Sequence, residues 1–413
     1  AMGFAAGTAP SWHVTGELPV EANGWDVCHA LLREGLGFGE GSDIAFAEPD
    51  IEWSSHEHDD PPRTSAKANP QRDDHPQGPA DNWFQRREFS GLAAAREEVT
   101  RYLQGRAATT RLAHFDTGFD ANHATCPQRL RADLARNFVE RAADGGPGLE
   151  AADRADGTLA NPGHGTATLA ILAGRSSGGA RDFEVAPFRI CPRVVLIRIS
   201  ALAEAMDTVL AWRDDPQMRC DVISMSMGGL ASKAWADAAN ALYEAGVVIV
   251  TAAGNNFGGL PIESVVFPAR FRRVLAVTGI RADGSPYADL PLQLMAGCYG
   301  PASKMRTALA AWTPNIPWAR RGAGTIVDQD GGGTSAATPQ VAAAAALWLE
   351  RHARALANLP GWRRVEAVRQ ALFSAAARPA SGDAPHKYFG RGVLDARAAL
   401  DLAPFSEPNA YAS

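Results

Sequence analysis

Short apolar runs recur through the middle of the chain, at Arg111 to Phe115, Val194 to Ile199, Asp221 to Met227, Val247 to Thr251 and Val274 to Thr278. Each is followed by a turn and a stretch whose apolar residues have helical spacing. Apolar runs this short predict strands, and their near-continuous apolar character predicts burial on both faces. Strands alternating with helices predict an α/β fold: a mainly parallel sheet with helices on both faces. Further on, Val341 to Leu356 is an Ala-rich helical run. Pro339 just before it suits a first helical turn, where backbone amides have no intrahelical partner, so Ser335 falls near a helix N-terminus.

The beginning of the chain reads differently. Trp25 to Leu36 has helical periodicity, and Asp43 to Trp53 alternates Ile44, Phe46 and Ile51 as a strand interrupted by Pro49, which together predict a small α+β unit over residues 1–53. Residues 54–82 hold five prolines and no Val, Ile, Leu or Phe, too little apolar surface to offset the entropy of ordering, and read as a flexible linker. The charged run His56 to Asp60 inside it has metal-ligating residue types but the setting of a solvated polar tract. The main domain then occupies 83–413.

With 413 residues, 46% hydrophobic and 21% charged, the composition is that of a folded globular chain, which excludes collagen, coiled coil and wholesale disorder. A net charge of −6 provides no cationic footprint for nucleic acid or an anionic membrane, so neither is expected as a partner. The longest apolar run, Val341 to Leu349, is nine residues, too short to span a bilayer. Five scattered cysteines, with no C-x-x-C pair, argue against a disulfide scaffold or structural zinc. Ala1-Met2-Gly3 is not followed by a basic segment and an apolar core, so the expectation is a secreted protein if a signal peptide has been trimmed and a cytoplasmic one otherwise.

Four positions carry candidate chemistry. Asp116 ends the first strand run ahead of Thr117-Gly118, at the carboxyl edge where α/β sheets place their sites. An aspartic protease would need a second such motif to share a proton, and no other D-T-G or D-S-G occurs. His164 stands between Gly163 and Gly165 at the start of a helical run, and the bare glycines would let a substrate backbone approach an imidazole base. Ser335 lies after Gly331-Gly332-Gly333, where a helix N-terminus favours developing negative charge; no G-K-[ST] follows, which dismisses a phosphate loop. Asn255, after a buried strand and Ala252-Ala253-Gly254, has an NH2 suited to an oxyanion.

In the order Asp116, His164, Asn255, Ser335, and through the blocks HFDTGFD at His114, GHGTA at Gly163, DVISMSMGG at Asp221, VTAAGNN at Val250, VFPARFRRVLA at Val266, GTSAATPQVA at Gly333 and FGRGVLDA at Phe389, the chain resembles the subtilisin-like serine proteases. The order Asp, His, Ser is the known chain order of subtilisin. The resemblance implies Ser335 as nucleophile, His164 as general base and then acid, Asp116 as the group orienting the imidazole, and Asn255 with the Ser335 N–H as oxyanion donors. It further implies that Ser226, Met227 and Gly228 form an edge along which an extended polypeptide adds as a strand, with Gly228 leaving room for the substrate side chain before the scissile bond, and that Ala252, Ala253 and Gly254 line the same cleft.

Some features depart from the family. Asn122-His123 is followed by Ala124-Thr125-Cys126, so a carboxylate that often ligates calcium is missing; no cofactor is required, no metal ligand is assigned, and calcium is not assumed. Gln340 stands where a His is common, next to a helix and away from the proton relay. The 48 residues from Asp116 to His164 include a polar stretch, Arg141 to Asp156, that predicts a surface insertion rimming the cleft. The N-terminal unit, through Ala47-Glu48-Pro49-Asp50, resembles the family's inhibitory propeptide, which implies that the chain's own N-terminal region acts as an inhibitor. The alternatives are a catalytically silent peptide-binding module and a serine esterase.

Overall fold

A computed structural model of the chain describes residues 24–34, 46–50, 81–154, 161–194, 196, 198–292, 294–377 and 385–404. In chain order the strands are β1 (Arg111–Asp116), β2 (Arg136–Arg141), β3 (Pro147–Gly148), β4 (Glu184–Arg189), β5 (Val222–Met225), β6 (Val248–Ala252), β7 (Asn255–Phe257), β8 (Leu275–Ile280), β9 (Met295–Gly297), β10 (Ala308–Trp312), β11 (Ile316–Ala319) and β12 (Val327–Gly331). The helices are α1 (Gly24–Glu34), α2 (Leu92–Leu103), α3 (His164–Ala173), α4 (Ile199–Ala211), α5 (Lys233–Ala245), α6 (Ala302–Met305), α7 (Gly333–Leu356), α8 (Gly361–Ala375) and α9 (Ala396–Asp401).

Eight strands form one sheet in the order β10-β8-β6-β5-β1-β4-β2-β3. Every pair in it is parallel except β2 with β3, a hairpin at one edge. Side chains alternate across each strand, and the alternation divides the core in two. Leu112, Val222, Val248 and Val250 point into the layer that contains α2, α3, α7 and α8. Ala113, Phe115, Ile223 and Ile249 point into the layer that contains α4 and α5. Burial on both faces accounts for the apolar continuity of the runs, and the α/β architecture is the one their pattern predicts.

Some elements differ from expectation. The described residues of the run Val194 to Ile199 (194, 196, 198 and 199) make no strand: Ile199 opens α4, whereas on one side β1 is flanked by β4, whose Pro187 and charged ends hide it in the sequence. Phe46–Asp50 carries no regular structure, so of the predicted strand Asp43 to Trp53 the described part is irregular and the rest lies outside the described residues, as does the linker except residues 81 and 82. The insertion Arg141 to Asp156 is in part the edge hairpin β2-β3, closed by Ala142 N–H donating to Gly146 O at 2.9 Å. Trp83 and Phe84 are buried in the larger core layer, and Trp83 Nε1 donates to Asn315 O at 2.8 Å. None of the five cysteines is in a disulfide.

Candidate active site

β1 delivers Asp116 fully buried at its carboxyl end, and α3 begins on His164. His164 Nδ1 lies 2.7 Å from Asp116 Oδ1, which also accepts from Thr117 N–H at 2.8 Å. The second carboxylate oxygen, Oδ2, accepts from Thr168 Oγ1 at 3.0 Å. A hydroxyl has one proton, so Thr168, giving its proton to the carboxylate, accepts from His114 Nε2 at 2.9 Å. Burial alone would raise the Asp116 pKa; the charge and hydrogen bond of His164, with His114 and the Thr117 amide, outweigh it and hold the carboxyl below its ordinary value. Burial pushes His114 down to about 4, so at neutral pH it is an uncharged donor. The loops on either side share one brace: the carboxylate of Asp153 accepts from Gly163 N–H at 2.8 Å and from Thr117 Oγ1 at 3.3 Å, and Thr117 Oγ1 accepts from Gly165 N–H at 3.1 Å.

The other half of the site is the start of α7. Ser335 is its third residue, so its N–H has no intrahelical acceptor. Pro339 is the seventh residue, inside the helix and past the first turn where the sequence pattern put it. Having no N–H, it leaves the carbonyl of Ser335 four residues back without a helical donor. Ser226 Oγ supplies one at 3.0 Å, and Ser335 Oγ donates in return to Ser226 O at 3.2 Å. Asn255 opens β7, and its Oδ1 accepts from Thr334 N–H at 2.9 Å, which fixes the amide plane and leaves Nδ2 with no hydrogen-bond partner among the described residues. Gly333 has φ +74°, and a Cβ there would lie 2.9 Å from Asn255 Nδ2, so a side chain at 333 would displace the amide. α3 and α7 pack together, bringing the Asp116–His164 pair, Ser335 and Asn255 to one end of the sheet.

The sequence model of the subtilase family, peptidase S8, matches residues 108–392. The chain belongs to the subtilase family. It is 27% identical over 246 residues to subtilisin DY of Bacillus licheniformis, covering 57% of this chain and 77% of that protein. With a subtilisin of Bacillus pumilus it shares 31% over 185 residues, covering 43% and 56%, and with subtilisin E of Bacillus subtilis (strain 168) 29% over 184 residues, covering 43% and 40%. The chain thus spans less than two thirds of the length of the latter two.

In this subtilase the residues expected to bind substrate are already much engaged. Gly228 O accepts from Leu196 N–H at 3.0 Å, Gly229 and Phe267 exchange two backbone bonds, and the Met227 side chain is buried in the core. Ala253 N–H donates to Val277 O and its carbonyl accepts from Val266 N–H, while Gly254 is held through both backbone groups by Thr334 Oγ1 and through its carbonyl by Cys298 N–H. Ser226, Ala252, Ala253 and Gly254 therefore form a fixed wall. The space at Gly228 is filled: a Cβ there would lie 2.2 Å from Val266 Cγ2, and one at Gly254 would lie 3.0 Å from Val266 Cγ1. Gly163 and Gly165 also serve internal packing, since Cβ atoms there would meet Arg321 Cβ at 2.9 Å and Gly118 O at 2.0 Å.

His114, Thr168, Asp153 and Val266 were not singled out by the sequence pattern. Two of them carry a readable signal: His114 is two residues before Asp116, hence on the same face of the strand, and Thr168 is four after His164, hence on the same face of the helix. Gln340 pairs with the end of β10, donating to Trp312 O at 2.7 Å and accepting from Trp312 N–H at 3.3 Å. His123 is tied to Thr125 Oγ1 at 2.8 Å and Ile326 O at 3.1 Å. Among the described residues no group of three or more His, Cys, Asp or Glu is placed to hold a metal ion.

Proposed function

We propose that the chain is a serine endopeptidase that hydrolyses extended polypeptide segments through an acyl-enzyme, with Ser335 as nucleophile, His164 as general base and then acid, Asp116 as the orienting carboxylate, and Asn255 and the Ser335 N–H as oxyanion donors. The observation that carries this reading is the buried 2.7 Å contact between His164 Nδ1 and Asp116 Oδ1. It fixes the tautomer with the proton on Nδ1 and leaves Nε2 as a lone pair. Ser335 Oγ, now bonded to Ser226 O, turns to Nε2, passes its proton there and attacks the scissile carbonyl. Charge then develops on the carbonyl oxygen, which Asn255 Nδ2 and the Ser335 N–H stabilise; His164 returns the proton to the departing amine, and water repeats the sequence on the acyl group. Full-length protein should gain the mass of a fluorophosphonate probe and Ser335→Ala should not; labelling that persists in the variant overturns the assignment.

Val266 supports a preference for a small residue on the acyl side of the scissile bond, because its methyl groups fill the space between Gly228 and Gly254. Val266→Gly is expected to raise kcat/KM for peptides with Phe or Leu there, relative to Ala, by about tenfold or more. An unchanged ratio would place the pocket elsewhere.

The segment Phe46–Asp50 supports inhibition by the chain's own N-terminal region. Glu48 Oε1 accepts from Ser232 Oγ at 2.8 Å and Ala234 N–H at 3.0 Å, and its Oε2 from Lys233 N–H at 3.0 Å. Asp50 accepts from Ser200 N–H at 3.0 Å and Ser200 Oγ at 2.6 Å. Two carboxylates thus cap the N-termini of α5 and α4, whose orphan amides and positive dipole ends attract them, within a few residues of Gly228-Gly229 and Leu196.

A further inference from the structure

Hydrogen bonding holds the imidazole of His164 at one ring atom: Nδ1 lies 2.7 Å from Asp116 Oδ1, and Nε2 has no hydrogen-bond partner among the described residues. One bond fixes a point. The torsion that turns a histidine ring about its Cβ–Cγ bond is broad, so a ring held only at Nδ1 is free to tilt. Trp318 supplies a second hold. It is the one aromatic ring in contact with the imidazole among the described residues, edge to face, with ring centroids 5.6 Å apart and planes at 72°.

The hairpin β11-β12 carries Trp318 to that place. Trp318 pairs with Asp328 and Ile316 with Gly331, and β12 has one residue more than β11 between those pairs, a bulge of the kind that bends a strand and re-aims its side chains. The indole has room because residue 331 is glycine: a Cβ there would lie 2.8 Å from Trp318 Cε3. Arg320 grips Asp328 across the hairpin at 2.7 and 2.9 Å. The tip is tied to the loops around the Asp116–His164 pair, with Arg321 Nη1 donating to Asp153 O at 2.7 Å, Gly322 N–H to Asp120 Oδ2 at 2.8 Å and Ala124 N–H to Gly324 O at 2.7 Å. β12 then runs through Gly331 and Gly332 into α7, whose third residue is Ser335. One hairpin thus touches the imidazole from its first strand and leads to the serine from its second.

Resting on the protease reading above, we propose that Trp318 is a positioning residue for His164: its ring wedges the imidazole so that Nε2 stays turned towards Ser335, and the hairpin couples the orientation of the base to that of the nucleophile. Trp318 acts through the imidazole and takes no part in the proton transfer itself. That transfer needs the two heavy atoms within hydrogen-bond reach, and a base that tilts spends less time there. Deleting the ring therefore slows the chemical step and leaves substrate binding alone.

The test compares the full-length parent with Trp318→Val, which keeps an apolar β-branched residue in β11 but no ring, and Trp318→Phe, which keeps a ring. Trp318→Leu, also without a ring, stands in for the first variant if that does not fold. Three quantities are measured: the rate of fluorophosphonate labelling, kcat and KM on a peptide anilide, and the far-downfield proton resonance of the hydrogen-bonded His164 Nδ1–H, assigned by its loss in His164→Ala. Trp318→Val should lower labelling and kcat about tenfold, the upper end of what one aromatic contact contributes, with KM unchanged and the resonance broadened or lost. Trp318→Phe should recover most of both. A raised KM with kcat unchanged makes Trp318 a substrate contact and overturns the proposal. So do rates and a resonance equal to the parent's, or a loss of rate that Phe does not recover while the resonance stays intact. A parent that neither labels nor cleaves overturns the protease reading alone, because the resonance still reports whether Trp318 holds the ring.

Discussion

His114 shows how a residue away from the reacting atoms can govern behaviour in acid. Buried and uncharged, it donates to Thr168, which donates to Asp116. Its folded-state pKa of about 4 is depressed from 6.5, so protonation favours the unfolded chain: the contribution to stability is complete above pH 6.5 and is lost as pH falls towards 4. The full difference corresponds to about 3 kcal/mol. Asp116 acts in the same direction lower down, its depressed pKa making stability fall as pH drops below 3.8. His352 and His386 are also held down by burial, so only a comparison isolates His114. His114→Gln keeps a donor for Thr168 and does not titrate; urea midpoints at pH 7, 5.5 and 4.5 should fall less steeply in the variant than in the parent. Parallel slopes would remove His114 as the source. Asp116, His164, Asn255 and Ser335 could be singled out in the sequence because each stands at or close to the end of an element, Ser335 being the third residue of α7. His114, Thr168, Asp153 and Val266 are ordinary residue types whose roles arise from contacts across the fold, and only the i, i+2 and i, i+4 spacings of the first two hint at theirs.

At the scale of elements, α7 depends on Ser226, the residue just after β5, for a hydrogen bond its own proline removes. Ser226→Ala should cost about 1 to 3 kcal/mol, the penalty for leaving the Ser335 carbonyl buried without a donor, measured by denaturant unfolding. In a Pro339→Ala background the helix supplies an N–H to that carbonyl, so the same Ser226→Ala change should cost clearly less. Equal costs in the two backgrounds would show that Ser226 stabilises the helix by another route. The same proline explains one limit of reading elements from sequence: it marked a first helical turn at a place where six residues of the helix had already gone by. Pro187 does the reverse in β4, interrupting an apolar pattern that tertiary pairing with β1 restores. The strands β5, β6 and β8 were legible because their β-branched runs suit burial on both faces, a local property, and β1 through its short apolar run alone, whereas β4 is held in place by its neighbours.

Across the whole molecule, Glu48 and Asp50 join the N-terminal region to α5 and α4 through five hydrogen bonds. If this contact restrains the enzyme, the Glu48→Gln, Asp50→Asn double substitution should raise the rate of fluorophosphonate labelling of the full-length chain about tenfold or more, since neutral amides lose the charge-assisted part of each bond. Ser335→Ala in the same background should abolish it. A labelling rate equal to the parent's would separate the docked segment from any control of the site. The packing of α7 on α2, α3 and the strands β5, β6, β8 and β10 has a consequence for the life of the chain before it is complete. Asp116 and His164 emerge from the ribosome early, but Ser335 follows Asp116 by 219 residues and is oriented only once its helix has closed over strands made long before it. On the protease reading proposed above, a half-made molecule would hold a base with nothing to activate, and the power to hydrolyse would await the finished fold.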